Sequence, residues 1–426
     1  MIDVLAHHNQ LLLMLAIGFG FLMAFGIGAN DVANAMGTSV GSKALTIKQA
    51  ILIAMIFEFL GAYLAGGEVT STIRKGIIDV DLFTQAPELL VFGMTASLLA
   101  AGVWLILASY LGWPVSTTHS IVGAIIGFAA LGLGVDAVKW SQVGGIVSSW
   151  IVTPFISGAI AYTLFMTAQK LIFDTQQPLE AAKKYIPYYM GLAGLILSLV
   201  TIQKGFKHVG LGLTREQSYM LSGVAALALA LLGKYLIRSK NLNSHPDDSR
   251  EDEFRKVEQV FAILMIITAC CMTFAHGSND VANAIGPLAA VASTLEHGVV
   301  AAHTTIAWWI LPLGGLGIVI GLAVYGHKVI ATIGTGITHL TPSRGFAAEL
   351  ATAITVILAS GTGLPISTTQ TLVGAVLGVG MARGIAALNL GVVRNIVISW
   401  VITLPAGACL SIIFFYTLQW IFIPTA

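Results

Sequence analysis

Asp31 and Asp280 are the residues whose setting most needs explaining. Each is the only Asp, Glu, Lys or Arg in a long apolar run, between Asp3 and Lys43 in the first case and between Glu258 and Glu296 in the second. An ionised carboxylate at membrane depth costs at least about 2.5–3.5 kcal/mol, so it is kept where it is paired and used. Asn30 and Asn34 flank Asp31 within one helical turn, and Asn279 and Asn283 flank Asp280 in the same way. Carboxylate and amide oxygens of this kind suit a hard cation, so Asp31, Asn34, Asp280 and Asn283 are candidate ligands for sodium or another coupling cation. Polar packing between small-residue helix faces would account for Asn and Ser but accounts poorly for Asp.

A second pattern supplies the opposite chemistry. Pro–x–Ser–Thr–Thr occurs at Pro114–Thr118 and at Pro365–Thr369. Proline suits the first turn of a helix, and the hydroxyls and free N–H groups that follow form an anion receptor at a helix N-terminus. Ser116, Thr117, Thr118, Ser367, Thr368 and Thr369, with Asn30, Asp31, Asn279 and Asp280, are therefore the candidate anion-binding residues. The motifs sit between apolar stretches too short and too closely spaced for ordinary loops, so a hairpin or broken helix at membrane depth is expected; a surface N-cap is the simpler alternative. No Lys or Arg lies within the motifs. An anion beside two carboxylates is repelled unless cations enter with it, which is the arithmetic of symport.

Two further acids lie in apolar surroundings, Glu58 and Glu349. Glu58 is central in its run and is expected to serve coupling or gating; Glu349 follows Arg344 near a span end, where function and an interfacial ion pair are both open. His119 and His276 read as hydrogen-bonded packing residues. There is no Gly–Lys–Ser/Thr nucleotide loop and no nucleophile–base set at matched positions, so neither ATP hydrolysis nor an enzyme is expected.

The elements that position these residues follow from composition. The chain has 426 residues, 56% hydrophobic and only 10% charged, with mean hydropathy +0.87; soluble domains carry about 25% charged residues. Apolar runs fall near 11–40, 46–66, 89–111, 114–135, 142–170, 187–203, 217–238, 258–292, 298–325, 346–360, 364–382 and 388–418. That makes about twelve segments of an all-α, multi-pass protein of the lipid bilayer. The run 11–40 is too long for one simple crossing, and Gly26 and Gly28 are expected to break or kink it. The hydrophilic stretch 239–257, flanked by Lys234, Arg238, Lys240, Arg255 and Lys256, reads as a cytoplasmic loop with both termini outside, although Arg74 and Lys75 then face outward. A net charge of +1 gives no nucleic-acid signature, and Cys270, Cys271 and Cys409 lack metal-ligand spacing. Nothing at the N-terminus reads as a removable signal peptide, and the expected location is the cytoplasmic (inner) membrane.

Three motifs recur in order at a separation of roughly 250 residues: the two Asn–Asp segments, the two Ser–Thr–Thr segments, and Ser149–Trp150 with Thr153 against Ser399–Trp400 with Thr403. An odd number of crossings between Asp31 and Asp280 makes the copies inverted, which implies alternating access around a shared site. The expected organisation is a first repeat over 1–170, linking helices and the hydrophilic loop over 171–257, and a second repeat over 258–426.

The chain resembles the inorganic phosphate transporter (PiT) family of cation-coupled symporters over nearly its whole length. The likeness rests on Gly28–Ala35 (GANDVANA), Gly277–Pro287 (GSNDVANAIGP), both Pro–x–Ser–Thr–Thr motifs and the GFAAELATA segment around Glu349. Ile73–Asp79 and the Phe–Glu–Phe setting of Glu58 look more like the sodium-coupled branch. The resemblance implies phosphate as substrate, Asp31 and Asp280 handling cations and phosphate, the Ser–Thr–Thr groups holding phosphate, and Glu58 and Glu349 important for transport. Gln370 departs from the histidine that members often carry there. The implied partners are inorganic phosphate, sodium ions (or protons) and lipid, with no cofactor; a homo-oligomer is left open. A sulfate permease of the same superfamily and an anion channel are the rival readings, the latter expected to show pore-lining Lys or Arg.

Overall fold

The computed structural model describes residues 2–205, 213–244, 248–300, 306–336, 340–384 and 389–423. These residues are almost entirely helical, with a single isolated β-bridge between Ile78 and Val138. In chain order the helices are α1 Ile2–Gly41, α2 Ile47–Ala65, α3 Gly67–Lys75, α4 Pro87–Tyr110, α5 Thr117–Gly132, α6 Trp140–Ala168, α7 Pro178–Val200, α8 Arg215–Ser239, α9 Arg250–His297, α10 Ile310–Gly336, α11 Pro342–Gly361, α12 Thr368–Arg383 and α13 Leu390–Phe422. Their starts follow local chemistry. Capping boxes at Thr46–Gln49 and Thr214–Gln217 open α2 and α8, and Pro87, Pro178 and Pro342 occupy the first turns of α4, α7 and α11.

Ten of the described helices are long and apolar enough to cross a bilayer, against twelve apolar runs in the sequence. The difference lies in the runs at 114–135 and 364–382. These fold as α5 and α12, 16 residues each, and at 1.5 Å per residue they reach only about 24 Å, short of a 30 Å hydrocarbon layer. Residues 301–305 of the expected span 298–325, and residue 388 of the expected span 388–418, lie outside the described residues.

Both short helices belong to hairpins. The segments that flank α4 and α5 are tied together at one end: Asp79 N–H donates to the Ala137 carbonyl and Lys139 N–H to the Ile77 carbonyl, each at 2.9 Å. At that same face His8 of α1 and Phe92 of α4 both meet Phe422 at the end of α13, and the Asn9 amide donates to the Leu295 carbonyl near the end of α9 (2.9 Å). The α11–α12 hairpin opens where α9 begins instead. There Glu258 accepts from the Ser343 N–H (2.8 Å) and hydroxyl (2.7 Å).

The expected interruption at Gly26–Gly28 does not occur: α1 runs unbroken for 40 residues. The glycine is used for close approach instead. A Cβ on Gly28 would collide with the Ile318 carbonyl of α10, and a Cβ on Gly277 would collide with the Glu58 carbonyl of α2. Small residues let backbones touch where lipid offers no hydrophobic drive between helices. Contacts made by one half recur in the other: α1 lies on α10 and α4, and α9 lies on α2 and α11; α5 packs on α13, and α12 on α6. The α7–α8 pair packs together outside this set.

Candidate functional site

Asp31 lies ten residues before the end of α1 and Asp280 seventeen before the end of α9, roughly 15 and 26 Å along each helix. Both are at most 1% exposed. The two hairpin tips meet them from opposite sides, and the side chains that hold each tip are the asparagines. The Asn30 amide donates to the Ser109 hydroxyl (3.1 Å) and the Trp113 carbonyl (3.0 Å), and its oxygen accepts from Val115 N–H (3.3 Å). Asn279, turned so that each end meets its complement, donates to the Ile366 carbonyl (3.1 Å) and to Asp280 Oδ1 (3.0 Å) and accepts from the Ser360 hydroxyl (2.9 Å).

The second asparagine of each motif reaches the opposite half. Asn34 donates to Thr369 Oγ1 at 2.7 Å, and Asn283 lies 3.3 Å from Thr117 Oγ1 and 3.2 Å from Thr118 Oγ1. The tips also bind each other: Thr118 donates to the Ile366 carbonyl (2.9 Å) and Thr369 to the Val115 carbonyl (3.2 Å). Ser116 and Ser367 are the N-caps of α5 and α12, accepting from His119 N–H and Gln370 N–H at 3.3 Å. They aim the helix N-termini that the threonines decorate. The capping alternative was therefore right for these two serines, but at the buried tip of a hairpin; all six hydroxyl residues are at most 2% exposed.

His276 joins the acids. Its Nε2 is 2.8 Å from Asp280 Oδ2 and 4.0 Å from Asp31 Oδ2, while its Nδ1 is 2.7 Å from Glu58 Oε1. Thr368 donates to the same Asp280 oxygen (2.9 Å). Asp31, His276 and Asp280 present ligand atoms within 4.8 Å of one another. Sequence reasoning treated His276 as packing; its position four residues before Asp280, on one helical face, was the signal available. The arrangement has no counterpart around Gly28. His276 aligns with Ile27, and Glu58 occupies against Gly277 the place that Ile318 occupies against Gly28.

Glu349 lies apart from this cluster. It is fully buried and accepts hydroxyls from Thr38 (2.5 Å), Ser39 (2.6 Å) and Thr268 (2.8 Å). Thr38 and Ser39 continue α1 two turns beyond Asp31, so this acid anchors the same helix that carries the site. His119 packs against Trp150 with ring centroids 3.8 Å apart and the planes tilted by 36°, and its Nδ1 faces the Trp400 carbonyl at 3.4 Å, as a packing histidine does.

The balance of donors and acceptors defines what can bind. Both oxygens of Asp31, Asn34 Oδ1 and Asn283 Oδ1 are buried acceptors without a hydrogen-bond donor among the described residues. Orphan acceptors gathered around a carboxylate suit a cation, whereas the helix N-termini opposite, which these threonines begin, suit oxyanion oxygens.

Fold and site together define a multi-pass, all-helical membrane protein with a buried polar site shared by two hairpins. The model of the phosphate transporter family matches residues 27–411, and the chain belongs to that family. A Haemophilus influenzae protein provisionally assigned as a phosphate permease is 56% identical over 425 residues, covering 99% of this chain and 100% of that protein. The chloroplastic inorganic phosphate transporter 2-1 of Arabidopsis thaliana is 43% identical, over 98% of this chain and 73% of its own. A solved structure described as that of a sodium-dependent phosphate transporter superposes with TM-score 0.89 at 41% identity, covering 96% of this chain and 99% of that one.

Proposed function

We propose that this chain is a secondary active importer of inorganic phosphate, working by symport with sodium through alternating access in the cytoplasmic membrane. The observation that carries the reading is the set of four orphan oxygens on Asp31, Asn34 and Asn283 beside the hydroxyl-lined tips. Sodium, as transported substrate, supplies positive charge to those oxygens and to Asp280. Phosphate then sits against Thr117, Thr118, Thr368 and Thr369 at the starts of α5 and α12, with Ser116 and Ser367 aiming those starts. Phosphate can also donate a hydrogen bond to a carboxylate, which sulfate cannot, so the acids favour phosphate over sulfate. The sodium dependence of the superposed transporter supports sodium over the proton as coupling ion.

The two halves are read as inverted repeats, 1–170 and 258–426, joined through 171–257. Supporting this, one hairpin opens where α9 ends and the other where α9 begins. Exchange between the faces then comes from rearranging hairpin tips that already exchange hydrogen bonds. Glu58, through His276, and Glu349, through α1, hold the helices that carry the aspartates.

The test is uptake of labelled phosphate into liposomes carrying the purified protein, with sodium, proton and potassium gradients compared and sulfate as competitor. Asp31→Asn should lose sodium-driven accumulation by about 100-fold or more, since the orphan oxygens lose the charge that recruits the cation. The variant should still purify as a folded protein. Normal accumulation by Asp31→Asn would remove the coupling site.

A further inference from the structure

A groove of about 410 Å³ runs along the outside of the bundle between α12 and α13. Its outer wall is apolar and faces lipid: Ile398 is 44% exposed and Ile402 43%, and their neighbour Val401 is 68% exposed. Trp113 at the first hairpin tip forms another wall, and the floor is the bonded pair Asn34 and Thr369. Along α13 the lining extends from Val392 to Ile402, ten residues or about 15 Å. That is half of a 30 Å hydrocarbon layer, the depth of one leaflet. Because α13 ends at Phe422 on the face opposite the start of α9, the Val392 end of the groove lies at the face where α9 begins, the side of the hydrophilic loop in sequence.

A cation stands at that end. Arg394 is exposed, lies one helical turn before Ile398 on the same face of α13, and makes no hydrogen bond or ion pair among the described residues. The related groove of the other half, about 390 Å³ between α6 and α11, differs on both counts. Lys139, just before α6, is already placed 3.8 Å from Asp79. The floor of that groove reaches Thr153 and Thr355 and stops short of Asn283.

We propose that the α12–α13 groove seats one acyl chain of an anionic phospholipid from the leaflet on the loop side, with its phosphate on Arg394 and its chain against Trp113. The length of the groove selects a single leaflet's chain, its apolar wall excludes a hydrated ion, and the unpaired guanidinium selects an anionic head group. A lipid seated there lies directly over the hydrogen bond that links the two halves at the site.

The proposal is read by lipid binding alone, so it stands or falls separately from the transport reading. Purified full-length protein is loaded with phosphatidylglycerol or phosphatidylcholine and examined by native mass spectrometry. Arg394→Gln should lower phosphatidylglycerol retention about fivefold, the factor that 1 kcal/mol per basic residue gives, and leave phosphatidylcholine unchanged. Ile398→Trp should displace the chain and lower retention of both. In bilayers, bromine-labelled chains should quench the fluorescence that is lost in Trp113→Phe, and aqueous iodide should not. Phosphatidylglycerol retention at the wild-type level in Arg394→Gln and Ile398→Trp, or iodide quenching of Trp113, would overturn the proposal, the latter by making the groove a water passage.

Discussion

At the scale of single residues, the site is unequal between its halves. Asp280 is held by His276 and Thr368, whereas among the described residues no donor comes within hydrogen-bond distance of the Asp31 oxygens, His276 Nε2 standing 4.0 Å away. Removing one member of a buried, hydrogen-bonded acid–base pair leaves its partner stranded and costs about 3–5 kcal/mol, while replacing both with apolar groups is often neutral. His276→Ala should therefore lower the melting temperature of the purified protein sharply. The double change His276→Ile with Glu58→Ile, which copies the Ile27 and Ile318 found at the matching contact around Gly28, should recover most of that stability without recovering uptake. Unchanged melting in His276→Ala would show that the pair is not a stabilising contact. The aspartates were legible in the sequence because a carboxylate duplicated in apolar surroundings has few explanations. For His276 the spacing to Asp280 was readable, but its pairing with Glu58 was not, because Glu58 lies 218 residues away and no spacing rule links them.

At the scale of elements, close backbone contact at glycines fixes how the helices cross. Gly277→Ala should destabilise the protein in a detergent melt and reduce uptake, because its new methyl would meet the fixed Glu58 carbonyl. Gly18→Ala, with nothing within 4 Å, should be neutral or gain up to roughly 1 kcal/mol of helix propensity. Equal melting of the two variants would refute the close-approach role. The Pro–x–Ser–Thr–Thr segments announced the hairpin tips, since proline and hydroxyl caps mark helix starts wherever they lie. The sequence misled at Gly26–Gly28, where glycine reads equally as a break or as a contact surface, and only the carbonyl of Ile318, nearly 300 residues away, decides between them. Ser109 and Ser360 were equally hidden, because a serine in an apolar run shows no sign of the asparagine it will meet.

At the scale of the whole molecule, the start of α9 at Arg250 and the 133–139 loop belong to opposite faces. In spheroplasts, Val135→Cys should react with a membrane-impermeant maleimide while Ser244→Cys stays protected until lysis, the wild-type cysteines supplying the background. The reverse labelling would turn the protein over in the membrane. Composition and the repeated motifs made the helical membrane architecture readable; the number of full crossings was not, because an apolar run does not state whether it turns back. The bonds from Asn34 to Thr369 and from Asn283 to Thr117 and Thr118 carry one more consequence. A polypeptide ending before residue 258 would keep each group and lose its mate. With the halves inverted as proposed, it could rebuild the set by lying antiparallel against a second copy of itself, which requires insertion in both orientations.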